Sequence, residues 1–194
     1  MRDVRNVSHE PLSVSIPDSK QSLGRSDVEA LVERAARGEV PPLAETLLAD
    51  AHFYAWWASH PNPRMGLVLA ATACEVKTKE VLRRTAAPDA KEIVEVVIRS
   101  RRPVEELLDR FLEASAGISL RKDVPELFGP VKTLFDHRNA FAHRGDTSLD
   151  AQAIREDLRA ATRAFDWLDR LVERVSGTTL PRPVERPDGI RRLP

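Results

Sequence analysis

At 194 residues the chain is long enough for one domain with arms at its ends. Lys and Arg together number 30, as do Asp and Glu, so the formal charge is zero. That balance argues against a dedicated nucleic-acid coat or a polybasic membrane protein, while leaving room for a local basic cleft. Apolar residues at 42% suffice for a core, and eight glycines beside abundant Ala, Leu, Glu and Arg favour helix over sheet.

The lone cysteine, Cys74, excludes an internal disulfide and fits a reducing compartment. Met1 to Glu10 is polar and lacks the apolar run of a signal peptide. The longest strongly apolar run, Met65 to Cys74, is too short to span a bilayer. The expectation is a soluble, cytoplasmic protein without membrane association.

Residues 1–42 read as an N-terminal arm. Leu12, Val14 and Ile16 alternate with serines between Pro11 and Pro17, which predicts a short strand-like piece. Ser26 can cap a short helix through Arg37, with Val28, Leu31, Val32 and Ala35 on one face. Gly38 ends it, and Pro41-Pro42 form a linker into the main domain.

Residues 43–176 read as that main helical domain. Leu43 to Ser59 is a helix, but Phe53, Tyr54, Trp56 and Trp57 are too dense for one face. Their second side needs a cover, either another helix of the chain or another subunit. His60 to Pro63 is a turn, and a second helix runs from Arg64 to Thr85. Its first half is apolar nearly all round, the mark of a central helix, and it contains Glu75. A carboxylate there needs a partner, and an arginine from another helix is the natural one. Its second half, Lys77, Lys79, Glu80, Arg83 and Arg84, reads as solvated.

Pro88 to Ser100 is rich in β-branched residues, so a strand competes there, but the helical flanks favour a helix. Pro103 starts another, with Val104, Leu107, Leu108, Phe111 and Leu112 at helical spacing, ending at Ala116-Gly117. Ile118 to Val124 reads as a loop carrying Arg121 and Lys122. Pro125 opens a helix with Leu127, Val131, Leu134, Phe135, Arg138 and Ala142 on its stripe, and Gly145 stops it. Pro130 within it predicts either a kink or a later start. Thr147, with Asp150 three residues on, resembles a capping box for the last helix, Asp150 to Val175. The Pro- and Arg-rich tail, 177–194, reads as extended or disordered. The fold class is therefore all-α: an up-and-down bundle of about five helices between a short arm and a tail.

The chemistry gathers at 134–145. Asn139 lies one turn below His143, about 40° round the helix, with Asp136 on the same side. Either could hydrogen-bond the imidazole and set its tautomer. Arg138 points along the apolar stripe and must find an acceptor, for which Glu75 is the candidate within the chain. Such a histidine can move protons near neutral pH, and such an arginine can stabilise charge on a pentacoordinate phosphate. On RNA the 2′-hydroxyl is a built-in nucleophile. The plainer alternative makes Arg138 an ion-pair member and His143 a helix cap favoured by the dipole.

These features resemble the HEPN superfamily of small α-helical domains. The family's motif is Arg, four to six residues, then His, with a polar residue usually after the Arg. Arg138-Asn139-Ala140-Phe141-Ala142-His143 matches it, and the stretch Leu69 to Glu75 is similar to the family's alanine-rich second helix with its acidic residue. The Gly117-Ile118-Ser119-Leu120 loop and long closing helix agree, so the resemblance covers about residues 43–175. It implies a homodimer whose two motifs meet in a cleft to make a metal-independent endoribonuclease, leaving a 2′,3′-cyclic phosphate. Arg138 and His143 would be catalytic and Asn139 would orient them, with Asp136 and Glu75 in support. Many members are toxins or defence effectors, so an antitoxin or partner protein is expected beside the RNA substrate. A subgroup paired with nucleotidyltransferase antitoxins carries a tyrosine two residues after the histidine, where this chain has Gly145. Some members are inactive scaffolds, which keeps open a non-catalytic protein- or nucleotide-binding module.

No cofactor or metal is expected: the chain has no Gly-rich phosphate loop, no G-x-S-x-G, no H-E-x-x-H and no cysteine pair to complement His52, His60, His137 and His143. Arg144, Arg121 and Lys122 are candidates for RNA phosphate contacts if the basic groups converge on the cleft.

Overall fold

A computed structural model describes residues 33, 36–100, 102–144 and 148–176. The helical domain lies in a compact unit, Val40–Pro183, and the remaining residues belong to a second unit. In that second unit Glu33 and Ala36 are helical, and Gly38 closes the helix at a φ of 69°, a left-handed conformation that glycine adopts without a Cβ penalty. The expected strand at Leu12 to Ile16, Thr147 and the tail lie outside the described residues.

The domain is all-α. Helix α1, Leu43–His52, runs on into a π turn at Phe53–Trp57. Helix α2, Pro63–Thr85, starts where Asn62 accepts a hydrogen bond from the Met65 N–H at 3.1 Å, with Pro63 at the first helical position. A single 3₁₀ turn, Pro88–Ala90, leads into α3, Lys91–Arg99, so the helix rather than the strand forms there. Helix α4 runs through Val104–Glu106, a π turn at Leu107–Phe111, and Leu112–Ala116, and Gly117 at φ 70° terminates it. The expected loop at Ile118 to Val124 contains a helical turn, α5, Leu120–Asp123, whose N-cap is Ser119. Helix α6, Pro125–Arg144, starts at Pro125 and continues through Pro130. Helix α7, Ala151–Ser176, closes the domain. The cap of α7 comes from Asp150, whose Oδ1 accepts from the Ala153 N–H at 2.7 Å.

Helix α2 is the centre, packed by α1, α7, α6, α3 and α4. Its pairs give the directions. Glu45 and Gly66–Ala51 link it antiparallel to α1, and Cys74–Ala161 and Lys77–Asp169 link it parallel to α7. Helices α6 and α7 run antiparallel through His137–Asp157 and Glu126–Arg163. Gly66 lets α1 approach closely: a Cβ there would lie 2.7 Å from the Ala51 carbonyl and 2.8 Å from the Ala55 Cβ.

One expectation about exposure fails, and one choice left open narrows. Lys77 is not solvated. It is 6% exposed, held by Asp169 at 2.5 Å with Glu45 at 3.9 Å, because α7 and α1 flank α2 on that side as well. The aromatic cluster is left partly uncovered among the described residues. Trp56 turns in beneath the Arg155 guanidinium, 4.9 Å from the ring centre, while Phe53, Tyr54 and Trp57 stay 51%, 43% and 67% exposed. The buried stripe Ala44, Leu48, Ala51 and Ala55 continues at helical spacing into the π turn, and Phe53, Tyr54 and Trp57 lie off that stripe.

Candidate active site at the C-terminal end of α6

Helix α6 buries Leu127, Val131, Leu134 and Phe135. This packing turns Arg138, next on the same stripe, toward α2. There its Nη2 donates to Glu75 Oε2 at 3.2 Å, the pair expected from the sequence. Its Nη1 donates to Asn139 Oδ1 at 2.9 Å. Glu75 also accepts from Lys79 Nζ at 2.5 Å. Neither end of the Arg138–Glu75 pair is sealed, at 27% and 28% exposed.

His143 lies on the outer face near the helix end, exposed to solvent. With Asp136, Asn139 and Ala140 it lines an open depression of about 390 Å³. The hydrogen bonds expected from Asn139 or Asp136 to its imidazole are not made. The Asn139 oxygen is taken by Arg138, and Asp136 accepts from Lys132 Nζ at 2.6 Å. That bond also raises the Lys132 ammonium above its ordinary pKa. The structure therefore brings together Arg138, Asn139 and Glu75 on one side and His143, Asn139 and Asp136 on the other. Asn139 is the residue common to both.

Arg121 and Lys122 do not converge on this end. Arg121 pairs with Asp109 at 2.8 Å and sits 4.2 Å from the centre of the Phe128 ring, and Lys122 pairs with Glu113. Phe128 lies about 22 Å along α6 from His143 at the usual rise per residue. Within one chain these cations belong to the other end of the helix. For Arg144 only the backbone, at the helix end, is described. Of the other basic residues, Arg83 pairs with Glu95 and Arg102 with Glu106.

The sequence reading missed Asp157. Its carboxylate is 3% exposed and accepts from His137 Nδ1 at 2.8 Å. Burial pushes its pKa above the ordinary carboxylate value, and the hydrogen bond from His137 opposes that rise. The available signal was position: Asp157 follows Ile154 by three and adjoins Leu158, inside the stripe that α7 buries. Among the other residues considered for metal, His52 meets the Thr162 hydroxyl at 3.1 Å. Cys74 is buried against the Ala161 carbonyl, and desolvation pushes its thiol up to about 12, so it is a protonated core residue. Among the described residues no helix is long and apolar enough to cross a membrane.

No family model, no curated protein and no solved structure matches the chain.

Proposed function

We propose that this chain is a metal-independent endoribonuclease whose active site is completed when two copies bring their α6 ends together. The observation that carries the reading is accessibility: Arg138 and His143 both reach solvent at one end of α6, and His143 borders an open depression. In this scheme the RNA 2′-hydroxyl attacks the adjacent phosphorus, one imidazole removes its proton, and the bond to the 5′-oxygen breaks. That oxygen takes a proton from a second acid, for which the partner's copy of the same histidine is available in a dimer. The guanidinium faces the charge that builds on the phosphoryl oxygens. The products are a 2′,3′-cyclic phosphate and a 5′-hydroxyl. The reading gives the protein a place in the cytoplasm as a toxin or defence effector, with an antitoxin or partner protein to restrain it.

Purified protein incubated with mixed cellular RNA in EDTA should yield cyclic-phosphate ends. His143→Ala should abolish them while unfolding within about 0.5 kcal/mol of the wild type, since the side chain is exposed. Equal cleavage by both proteins would refute the proposal.

A second reading, a non-catalytic helical module binding a protein or nucleotide, is favoured by the two contacts of one side chain. The Arg138 guanidinium already has Glu75 and Asn139 as acceptors. On that reading the same assay shows no cleavage by either protein.

A further inference from the structure

Glu75 holds two cations at once. Lys79 Nζ donates to its Oε1 at 2.5 Å, and Arg138 Nη2 donates to its Oε2 at 3.2 Å. The lysine is one turn along α2, so its bond is local, whereas Arg138 reaches across from α6 with the longer contact. Lys79 and Glu75 are each 28% exposed and Arg138 is 27% exposed, so an anion can approach the guanidinium from solvent.

We propose that Lys79 is a positioning residue for the ribonuclease reaction: it keeps Glu75 neutralised, so that Arg138 can leave the carboxylate for a phosphodiester. This rests on the function proposed above. A carboxylate nearly three-quarters buried and stripped of its cation carries a desolvation cost, which opposes release of Arg138. With Lys79 already bound, that cost falls away, and the planar guanidinium can turn to two phosphate oxygens. Without Lys79, Arg138 is the cation Glu75 requires, and it stays where it is. The arginine is thus stored in a low-exposure pair yet remains exchangeable.

The test uses the full chain with Lys79→Met, Lys79→Arg and Glu75→Gln, singly and combined, on RNA in EDTA. Lys79→Met should lower kcat/KM several-fold, and Lys79→Arg should restore it. In the Glu75→Gln background Lys79→Met should have no further effect, because a neutral amide does not hold Arg138. An equal loss in both backgrounds would mean that Lys79 itself contacts RNA and would overturn the proposal. A second arm needs no RNA. Melting temperatures of Arg138→Ala, Lys79→Met and the double variant should show a combined loss larger than the two single losses together, since only the double leaves Glu75 bare. Additive losses would overturn the exchange. A chain that melts as expected but cleaves nothing keeps the exchange and loses the ribonuclease reading, so the two failures are separable.

Discussion

At Asp157 a carboxylate sits inside the bundle with the His137 imidazole as its partner, and burial raises its proton affinity in the folded state. The folded chain therefore binds this proton more tightly than the unfolded one. The associated stabilisation is full below the ordinary value of 3.8 and is lost as pH rises through the raised folded value. Asp157→Asn keeps the shape and an acceptor oxygen for His137 but cannot ionise. Relative to wild type it should gain stability as pH rises from 3.8 through the raised folded value, read as melting temperature against pH. Parallel curves for the two proteins would exclude the effect. The same residue shows what single positions disclosed in the sequence. Arg138 on an apolar stripe demanded an acceptor, and Glu75 in an otherwise apolar helix demanded a cation, so their pairing was legible. Asp157 made the same demand from the stripe of α7 but drew no notice, since a long, highly charged helix hides one buried acid among many solvated ones. The groove-side contacts were not legible. Which oxygen Arg138 takes, and that Lys132 claims Asp136, depend on side-chain rotation that spacing does not determine.

At the level of elements, the α1–α2 contact is the tightest constraint identified. Gly66→Ala gains up to about 1 kcal/mol of helix propensity. Its added methyl would meet the Ala51 carbonyl at 2.7 Å and the Ala55 Cβ at 2.8 Å, and overpacking of this kind costs about 1–3 kcal/mol. Packing should win, and the variant should melt below the wild type; an equal or higher melting temperature would show that the helices can separate at little cost. Helix existence was legible almost everywhere, because Asn62-Pro63, Gly117 and the spacing of Leu127, Val131 and Leu134 are strong local signals. The π turns at Phe53–Trp57 and Leu107–Phe111 were not, since one wide turn leaves no periodicity to detect. At Phe53–Trp57 the excess of aromatic rings was the one trace. Helix α5 escaped notice because four residues are too few for a pattern.

For the whole molecule, the division of α6 into an Arg138 side and a His143 side makes assembly part of the proposed chemistry. If the site is shared between copies, cleavage per mole of chain should fall on dilution below the dimer's dissociation constant. Sedimentation over the same range should follow it, and constant specific activity across the dissociation would exclude a shared site. The exposed Phe53, Tyr54 and Trp57 leave the α1 end of the bundle with apolar surface of its own. Lys77 adds a last consequence. The first half of helix α2 is apolar nearly all round, so burial by itself does not tell that half which way to turn. Lys77 tolerates only the rotation and height at which Asp169, at 2.5 Å, and Glu45, at 3.9 Å, meet its ammonium. Replacing the pair together, Lys77→Met with Asp169→Leu, is expected to leave the melting temperature unchanged or higher, yet to broaden the core resonances in NMR spectra as alternative rotations become populated. Sharp spectra would show that the rotation is set elsewhere. On this account the buried charge works less as a brace than as an address, naming one arrangement among several that the oily surfaces alone would accept.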